Sequence, residues 1–187
     1  MADLASALAE ANIKMSKAVE VAKEDFAAIR TGRAHPGIFS KIMVDYYGTA
    51  TALSQLATIQ VPESRMALIS PFDKSASAAI EKAIRESDLG VNPSNEGGVI
   101  RVNFPQLTEE RRKDYIKVAR TKAEDSRVSI RNIRRTAKEQ MEKLEKDGQV
   151  GKDDLARSEK ELEKVTSDHI AKIDELVKHK EVELLEV

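Results

Sequence analysis

Hydrophobic residues recur at intervals of three and four along three long stretches of the chain, a pattern typical of helices with one apolar face. The first stretch covers residues 3–30, and its apolar row consists of Leu4, Leu8, Ala11, Met15, Ala18, Ala22 and Ile29. Because the glycine of Thr31-Gly32 interrupts this pattern, the sequence predicts that the first helix ends there.

The second and third stretches are also long. The second begins after Leu107, with Thr108 as the predicted N-cap, and continues to Asp147 without proline or glycine. The third covers residues 153–186. Since only residues 148–151 separate them, we expect two antiparallel neighbours. Three helices with one apolar face each can cover one another, which predicts a closed three-helix bundle and a monomer.

The region between the first two helices has a different pattern. It contains all five prolines, and short β-branched, apolar or aromatic runs predict strands at residues 38–47, 57–61, 66–69 and 99–104. Residues 73–87 have helical spacing, and residues 90–98 have the glycine and asparagine content of turns. The sequence therefore predicts an α+β fold. Residues 1–30 and 106–187 form the three-helix bundle (domain I), and residues 31–105 form an inserted β/α/β domain (domain II).

The chain passes between the two predicted domains twice. The two crossings are Arg30-Thr31-Gly32 and Phe104-Pro105-Gln106. A glycine in one crossing and a proline in the other are consistent with a hinge. A fixed corner is an equally good interpretation, since domain motion depends on a small interdomain contact.

Composition excludes several kinds of chemistry. The absence of cysteine excludes disulfides, thiol catalysis and cysteine-ligated metal centres. The sequence contains neither GxxxxGK[ST] nor GxGxxG, and its three histidines are scattered; His169, near an apolar face, is expected to be a packing residue. We therefore expect a protein that is not an enzyme, with no catalytic residues, no cofactor, no metal site and no small-molecule substrate.

Nothing in the sequence indicates a membrane protein. No apolar run approaches the roughly 20 residues that span a bilayer. The N-terminal residues carry acids within a broken apolar pattern, unlike a secretory signal. A cytoplasmic location is the expectation.

Charge is segregated along the chain although the net charge is only −1. Residues 111–138 carry 11 Lys and Arg against three Asp and Glu, whereas residues 152–187 carry seven against 11. On the second helix the cations recur every seven residues in one row beside the apolar face, namely Lys113, Arg120, Arg127 and Arg134. The next row consists of Lys117, Glu124, Arg131 and Lys138, and Arg112 stands at the helix start.

This cationic arrangement has two interpretations. Guanidinium groups match phosphate oxygens bidentately, so a rigid helix with aligned arginines suits the backbone of structured RNA. The alternative is that the cations pair with the acidic third helix inside the bundle. The residues alone favour RNA contact, because rows that flank an apolar face cannot all be covered by the other two helices.

Several motifs together resemble the ribosome recycling factor family over nearly the whole chain. In sequence order they are Arg30-Thr31-Gly32-Arg33-Ala34 with Pro36, Tyr46-Tyr47-Gly48, Ser87-Asp88-Leu89-Gly90-Val91-Asn92-Pro93, Leu107-Thr108-Glu109-Glu110-Arg111-Arg112-Lys113, Val128-Ser129-Ile130-Arg131-Asn132-Ile133-Arg134-Arg135 and Lys180-Glu181-Val182-Glu183-Leu184. Each motif is weak alone, but their order and number make the resemblance specific.

The resemblance implies an L-shaped protein of transfer-RNA-like dimensions with a flexible hinge. It implies that domain I binds large-subunit rRNA of the 70S ribosome, with the family's key arginines at Arg112, Arg131 and Arg134. It further implies that elongation factor G pushes domain II, hydrolyses GTP and splits the subunits, which frees messenger and transfer RNA. Arg120 and Arg127 join the expected rRNA-binding set because they lie in the aligned row.

Two other classes of function remain open. A prefoldin-like chaperone also combines helical arms with a β-rich middle, but it would need an exposed apolar groove rather than aligned arginines. A general RNA-binding or coiled-coil adaptor would bind RNA without any dependence on elongation factor G.

Overall fold

The computed structural model describes residues 3–186 and confirms the α+β fold. Its three long helices are α1 (Leu4–Ala27), α4 (Glu109–Lys146) and α5 (Lys152–Leu185). The chain forms two compact units. The first consists of the residues up to Phe26 together with Val118–Lys180, and the second consists of Ala27–Lys117 together with the residues from Glu181 onward.

The first unit is a three-helix bundle whose core is built from small side chains with a few large ones. α1 buries Ala7, Ala11, Met15, Val19, Ala22 and Phe26. The buried row therefore differs in part from the predicted one: Leu4, Leu8 and Ala18 are only partly buried, and Ala7, Val19 and Phe26 lie inside. α4 contributes Ala119, Ala123, Ile130, Ala137 and Met141, so three alanines of α1 and three of α4 allow close approach of the helices.

His169 of α5 is a packing residue, as predicted. Its ring is buried, and its Nδ1 lies 2.7 Å from the carbonyl oxygen of Val165. A carbonyl can only accept, so Nδ1 carries the proton and the Ser16 hydroxyl donates to Nε2 at 3.1 Å. Both ring nitrogens are therefore used within the bundle.

The helix boundaries follow local capping. The Thr108 hydroxyl accepts a hydrogen bond from the backbone N–H of Arg111 at 3.2 Å, which confirms the predicted N-cap of α4. α4 ends where Gly148 adopts a left-handed conformation with φ 69°. The predicted end of α1 was wrong by about one turn: the helix stops at Ala27, and Ile29 and Arg30 are buried in non-helical backbone.

The second unit contains six short strands and two short helices. The strands are β1 (Met43–Tyr46), β2 (Thr49–Ala52), β3 (Ala57–Glu63), β4 (Met66–Pro71), β5 (Asn92–Glu96) and β6 (Val99–Asn103). The helices are α2 (Leu53–Leu56) and α3 (Ser77–Arg85), and single 3-10 turns occupy Pro36–Phe39 and Lys74–Ala76. β1 and β2 form a hairpin, and the other four strands form an antiparallel sheet in the order β3-β4-β6-β5.

Three predictions for this unit were incomplete or wrong. The predicted strand at residues 38–47 is extended only from Met43, because Pro36 and Gly37 begin a 3-10 turn that buries Ile38 and Phe39. β2 and α2 were missed. Residues 92–96 are strand β5 rather than a turn, and Pro93 is tolerated there because β5 lies at the edge of the sheet. The opposite edge strand, β3, also contains a proline, Pro62.

The core of the second unit lies between α3 and the sheet. Its fully buried large side chains are Phe39, Leu53, Ile69, Ile80, Ile84 and Ile100. The β1–β2 turn is made by Tyr47 (φ 49°) and Gly48 (φ 80°), both left-handed, which matches the twist of a two-residue hairpin.

Candidate nucleic-acid interface

The predicted cationic rows lie on α4 beside its buried face. Residues seven apart on an α-helix are offset by only about 20°, so Arg120, Arg127 and Arg134 form one lengthwise row. The side chains of Arg131 and Arg134 are 44% and 37% exposed, whereas that of Arg127 is 23% exposed. The two rows therefore include arginines with different access to solvent.

Glu124 holds two of these arginines at once. Its Oε2 accepts from Arg127 Nη1 at 3.0 Å, and its Oε1 accepts from Arg131 Nη1 at 3.0 Å. Hydrogen bonds from Arg127 and Arg131 lower the pKa of Glu124 below its ordinary value of 4.5. Glu124 is thus an ionised carboxylate between two guanidinium groups at neutral pH.

Arg127 is held a second time, from α5. Its Nε donates to Asp174 Oδ1 at 2.8 Å, and its Nη2 lies 2.7 Å from the same oxygen. Partial burial works against the charge, but the hydrogen bonds to Asp174 and Glu124 outweigh it and raise the pKa of Arg127 above its ordinary value. Arg127 therefore joins α4 to α5.

Other cations of α4 also face α5 carboxylates. Arg134 Nη1 lies 3.5 Å from Glu163 Oε1, and Lys138 Nζ lies 3.6 Å from Glu159 Oε1. The alternative of pairing within the bundle is therefore realised for part of the row. Exposed pairs of this kind contribute only about 0–1 kcal/mol each, so a phosphate can compete for the same guanidinium. Arg120 is exposed on α4, seven residues before Arg127.

Arg112 belongs to the second unit and has a structural contact there. Its Nη1 lies 3.3 Å from the carbonyl oxygen of Leu185 and 3.2 Å from that of Glu186. These carbonyls stand at the C-terminal end of α5, where a cation is favourable. Arg112 therefore caps a helix, a role that its position in the sequence motif does not reveal.

The two predicted hinge segments are joined by Arg30. Its guanidinium donates from Nη1 to the Leu89 carbonyl at 3.0 Å and from Nη2 to the Pro105 carbonyl, and it lies 5.5 Å from the centre of the Phe104 ring. Arg30 is only 4% exposed, and its Nε is buried with no hydrogen-bond partner. Burial lowers the pKa of Arg30 below its ordinary value.

The other hinge residues are less tightly held. Thr31 and Gly32 are partly exposed, and Pro105 and Gln106 are exposed. The Thr31 hydroxyl accepts from the Arg33 backbone N–H at 3.4 Å. All six predicted hinge residues lie within the second compact unit. The division into domains I and II and the hinge itself stay predictions.

Sequence reasoning missed Glu124 and Arg30 as organisers of these regions. Glu124 is the one acid in the second predicted row. A signal existed for Arg127, since a carboxylate three residues before an arginine is its neighbour on a helix, but none existed for Arg131, seven residues on. No sequence signal identified Arg30 as buried, because its partners are backbone carbonyls 59 and 75 residues away.

Among residues 3–186 no group of three His, Asp or Glu side chains is arranged to hold a metal ion. Over the same residues no helix is both long enough and apolar enough to cross a bilayer.

Comparison with known proteins identifies the family. The family model "Ribosome recycling factor" matches residues 22–185. The chain is 66% identical over 180 residues to the ribosome-recycling factor of Streptomyces avermitilis, covering 96% of this chain and 97% of that protein. It is 60% identical over 181 residues to that of Mycobacterium marinum, covering 97% and 98%.

Solved structures agree. A solution structure of a ribosome recycling factor superimposes with a TM-score of 0.77 at 41% identity and covers all of both chains. A second match has a TM-score of 0.68 at 44% identity and covers 99% of this chain and 100% of the other. It comes from models of the Thermus thermophilus ribosome recycling factor and Escherichia coli elongation factor G bound to the E. coli post-termination complex. The chain belongs to the ribosome recycling factor family.

Proposed function

We propose that the protein recycles ribosomes. It binds the post-termination 70S ribosome and, together with elongation factor G, splits the subunits and releases messenger and transfer RNA. The observation that carries this proposal is the match to recycling factors over nearly the whole chain, one of which is bound with elongation factor G to a post-termination complex. This observation favours a recycling factor over a prefoldin-like chaperone or a general RNA adaptor.

The α4 arginines are the proposed contact with large-subunit rRNA. Arg131 and Arg134 support this role best, because each is substantially exposed and has a carboxylate partner that a phosphate can replace. Arg120 is exposed and lies in the same row. Arg127 and Arg112 are the weaker members of the set, since their guanidinium groups also hold parts of the protein together.

The energy for splitting comes from the partner. The sequence has no glycine-rich phosphate loop, so we propose that elongation factor G hydrolyses GTP and that this protein is a non-enzymatic factor. We propose a cytoplasmic location because the proposed partner is the ribosome. α4 is 38 residues long, which makes it a stiff element through which force can act on the rRNA contacts. The proposed point of force is domain II, residues 31–105, moving about the hinge.

The direct test is subunit splitting of post-termination ribosomes, followed by light scattering. Splitting should require this protein, elongation factor G and GTP together, and Arg134→Ala should reduce it. Arg135→Ala is the matched control, because it removes the same charge from the next residue, which is 72% exposed and paired only loosely with Glu139 at 4.0 Å. Splitting without elongation factor G, or no splitting under any condition, would contradict the proposal.

The hinge has its own test. Gly32→Pro restricts the backbone, whereas Gly32→Ala adds a Cβ that meets Glu186 O at an ordinary 3.9 Å. We expect the proline variant to bind ribosomes normally and split them slowly, with the alanine variant close to wild type. Equal activity of the two folded variants would indicate a fixed corner.

A further inference from the structure

Glu124 has an unusual position for a residue within a cationic row. It reaches Arg127, three residues on, and Arg131, seven residues on. Residues 124 and 131 are about 10 Å apart along the helix axis. Each of its two carboxylate oxygens takes one guanidinium at 3.0 Å. Both arginines are therefore drawn toward Glu124 and away from fully extended positions in solvent.

The same carboxylate opposes any phosphate that approaches these arginines. Its side chain is 52% exposed, so an RNA backbone near Arg131 meets a negative charge directly beside the cation it seeks. RNA must supply enough phosphate contacts to displace Glu124 from Arg131. An RNA that makes only one or two loose contacts with the helix does not meet this requirement.

Displacement is physically easy for a well-matched RNA. Arg131 is held by one exposed pair, and such pairs contribute at most about 1 kcal/mol. Arg127 keeps Asp174 when it leaves Glu124, so the α4–α5 contact survives the exchange. The arrangement thus weakens all RNA binding slightly and weakens poorly matched binding most.

We propose that Glu124 is a specificity-determining residue that holds Arg127 and Arg131 in the absence of RNA and disfavours RNA whose phosphates do not fit the row. This inference deepens the proposed function, because it presumes that the α4 row meets rRNA. Glu124 acts on RNA through the two arginines and through its own charge, and it need not touch the ribosome itself.

The test compares two RNAs and two variants. Glu124→Gln keeps the shape of the side chain and removes the charge. Glu139→Gln is the matched control, since it removes one carboxylate from the same helix, where Glu139 faces Arg135 at 4.0 Å. Each protein is titrated against 70S ribosomes and against an unrelated 20-base-pair RNA duplex at several salt concentrations, and thermal unfolding confirms that each is folded.

We expect Glu124→Gln to raise affinity for the duplex by about three- to tenfold and to raise ribosome affinity by a smaller factor. The slope of log affinity against log salt for the duplex should steepen by roughly 0.7–0.9, the value for one additional phosphate contact. In a background that carries Arg131→Met the gain should largely disappear, because the arginine that Glu124 restrains is gone.

Equal gains from Glu124→Gln and Glu139→Gln would overturn the proposal, since net charge alone would explain them. An unchanged ratio of ribosome to duplex affinity would also overturn it. Failure of wild-type protein to bind ribosomes would instead contradict the proposed function, and the duplex measurements would still decide whether Glu124 restrains the arginines.

Discussion

Arg30 and Arg131 are both arginines held by oxygen atoms, yet their surroundings are opposite. Arg30 is 4% exposed and is held by two backbone carbonyls and an aromatic ring. The Arg131 side chain is 44% exposed and is held by one carboxylate. A backbone carbonyl cannot move away without disturbing the fold, whereas a surface carboxylate can rotate into water.

The comparison separates arginines that build the protein from arginines that can change partners. In the second unit Arg30 and Arg112 hold backbone carbonyls, so their removal is expected to affect folding. On α4, Arg131 and Arg134 are held by exposed carboxylates, so their removal is expected to affect binding. Arg127 is intermediate, with carboxylates from two helices and 23% exposure.

The largest expected effect is that of Arg30→Met. The variant keeps most of the apolar volume but leaves the Leu89 and Pro105 carbonyls without their donor, so we expect the free energy of unfolding to fall by about 2–4 kcal/mol. Urea denaturation measures it. Arg33→Met, at an exposed position nearby, is the control and should change stability by less than about 0.5 kcal/mol. A similar small change for Arg30→Met would remove the distinction drawn above.

The second prediction concerns Arg131→Ala. Loss of one charge-assisted phosphate contact should weaken ribosome binding by about tenfold and reduce the salt slope by about one, with thermal unfolding unchanged. Ribosome binding at several salt concentrations measures both quantities. A large loss of stability with unaltered affinity would place Arg131 among the structural arginines.

Arg127→Ala should give a smaller and mixed effect. Removing the link to Asp174 should lower the free energy of unfolding by about 0.5–1 kcal/mol. Ribosome affinity should fall less than for Arg131→Ala, because Arg127 is less exposed. Urea denaturation and ribosome binding are measured on the same preparations, and an affinity loss equal to that of Arg131→Ala would show that Arg127 exchanges partners just as readily.

The smallest expected effect is on the titration of Glu124. Its pKa is lowered in the folded protein by hydrogen bonds from Arg127 and Arg131. The pairs therefore stabilise the fold above the ordinary pKa of 4.5, and this contribution is lost as pH falls through the lower folded value. Carbon-13 NMR of the Glu124 carboxyl should show that its pKa rises toward 4.5 in Arg131→Ala. No rise would mean that the hydrogen-bonded pair of Glu124 and Arg131 does not persist in solution.

The helical part of the fold was predictable because its signals are local and repeated. The apolar rows and the Thr108 cap located α4 and α5 to within about two residues. The strand-rich part was predicted less well. β5 has the asparagine and proline of a turn and is flanked by glycines, and only pairing with β6, which is not visible in local sequence, makes it a strand.

The sequence predicts where the arginines of the candidate site lie along α4, but it does not predict which carboxylates hold them. The sevenfold spacing predicts Arg120, Arg127 and Arg134 in one row and Arg131 in the next, and α4 is helical over all four positions. It could not show which arginines are held, because Asp174 and Glu163 reach them from another helix. Arg112 and Arg30 show the same limit, since their partners are carbonyls remote in sequence.

The prolines at the two edges of the sheet bear on whether copies of the chain can associate through strand addition. β3 and β5 each expose a strand edge on which another chain could add a strand of its own, and repetition of that step would build fibrils. Pro62 and Pro93 each remove an N–H from these edges, and the register of β3 is broken between Gln60 and Glu63. The two prolines and the break in register therefore make both edges of the sheet poor templates for a strand from another copy of the chain.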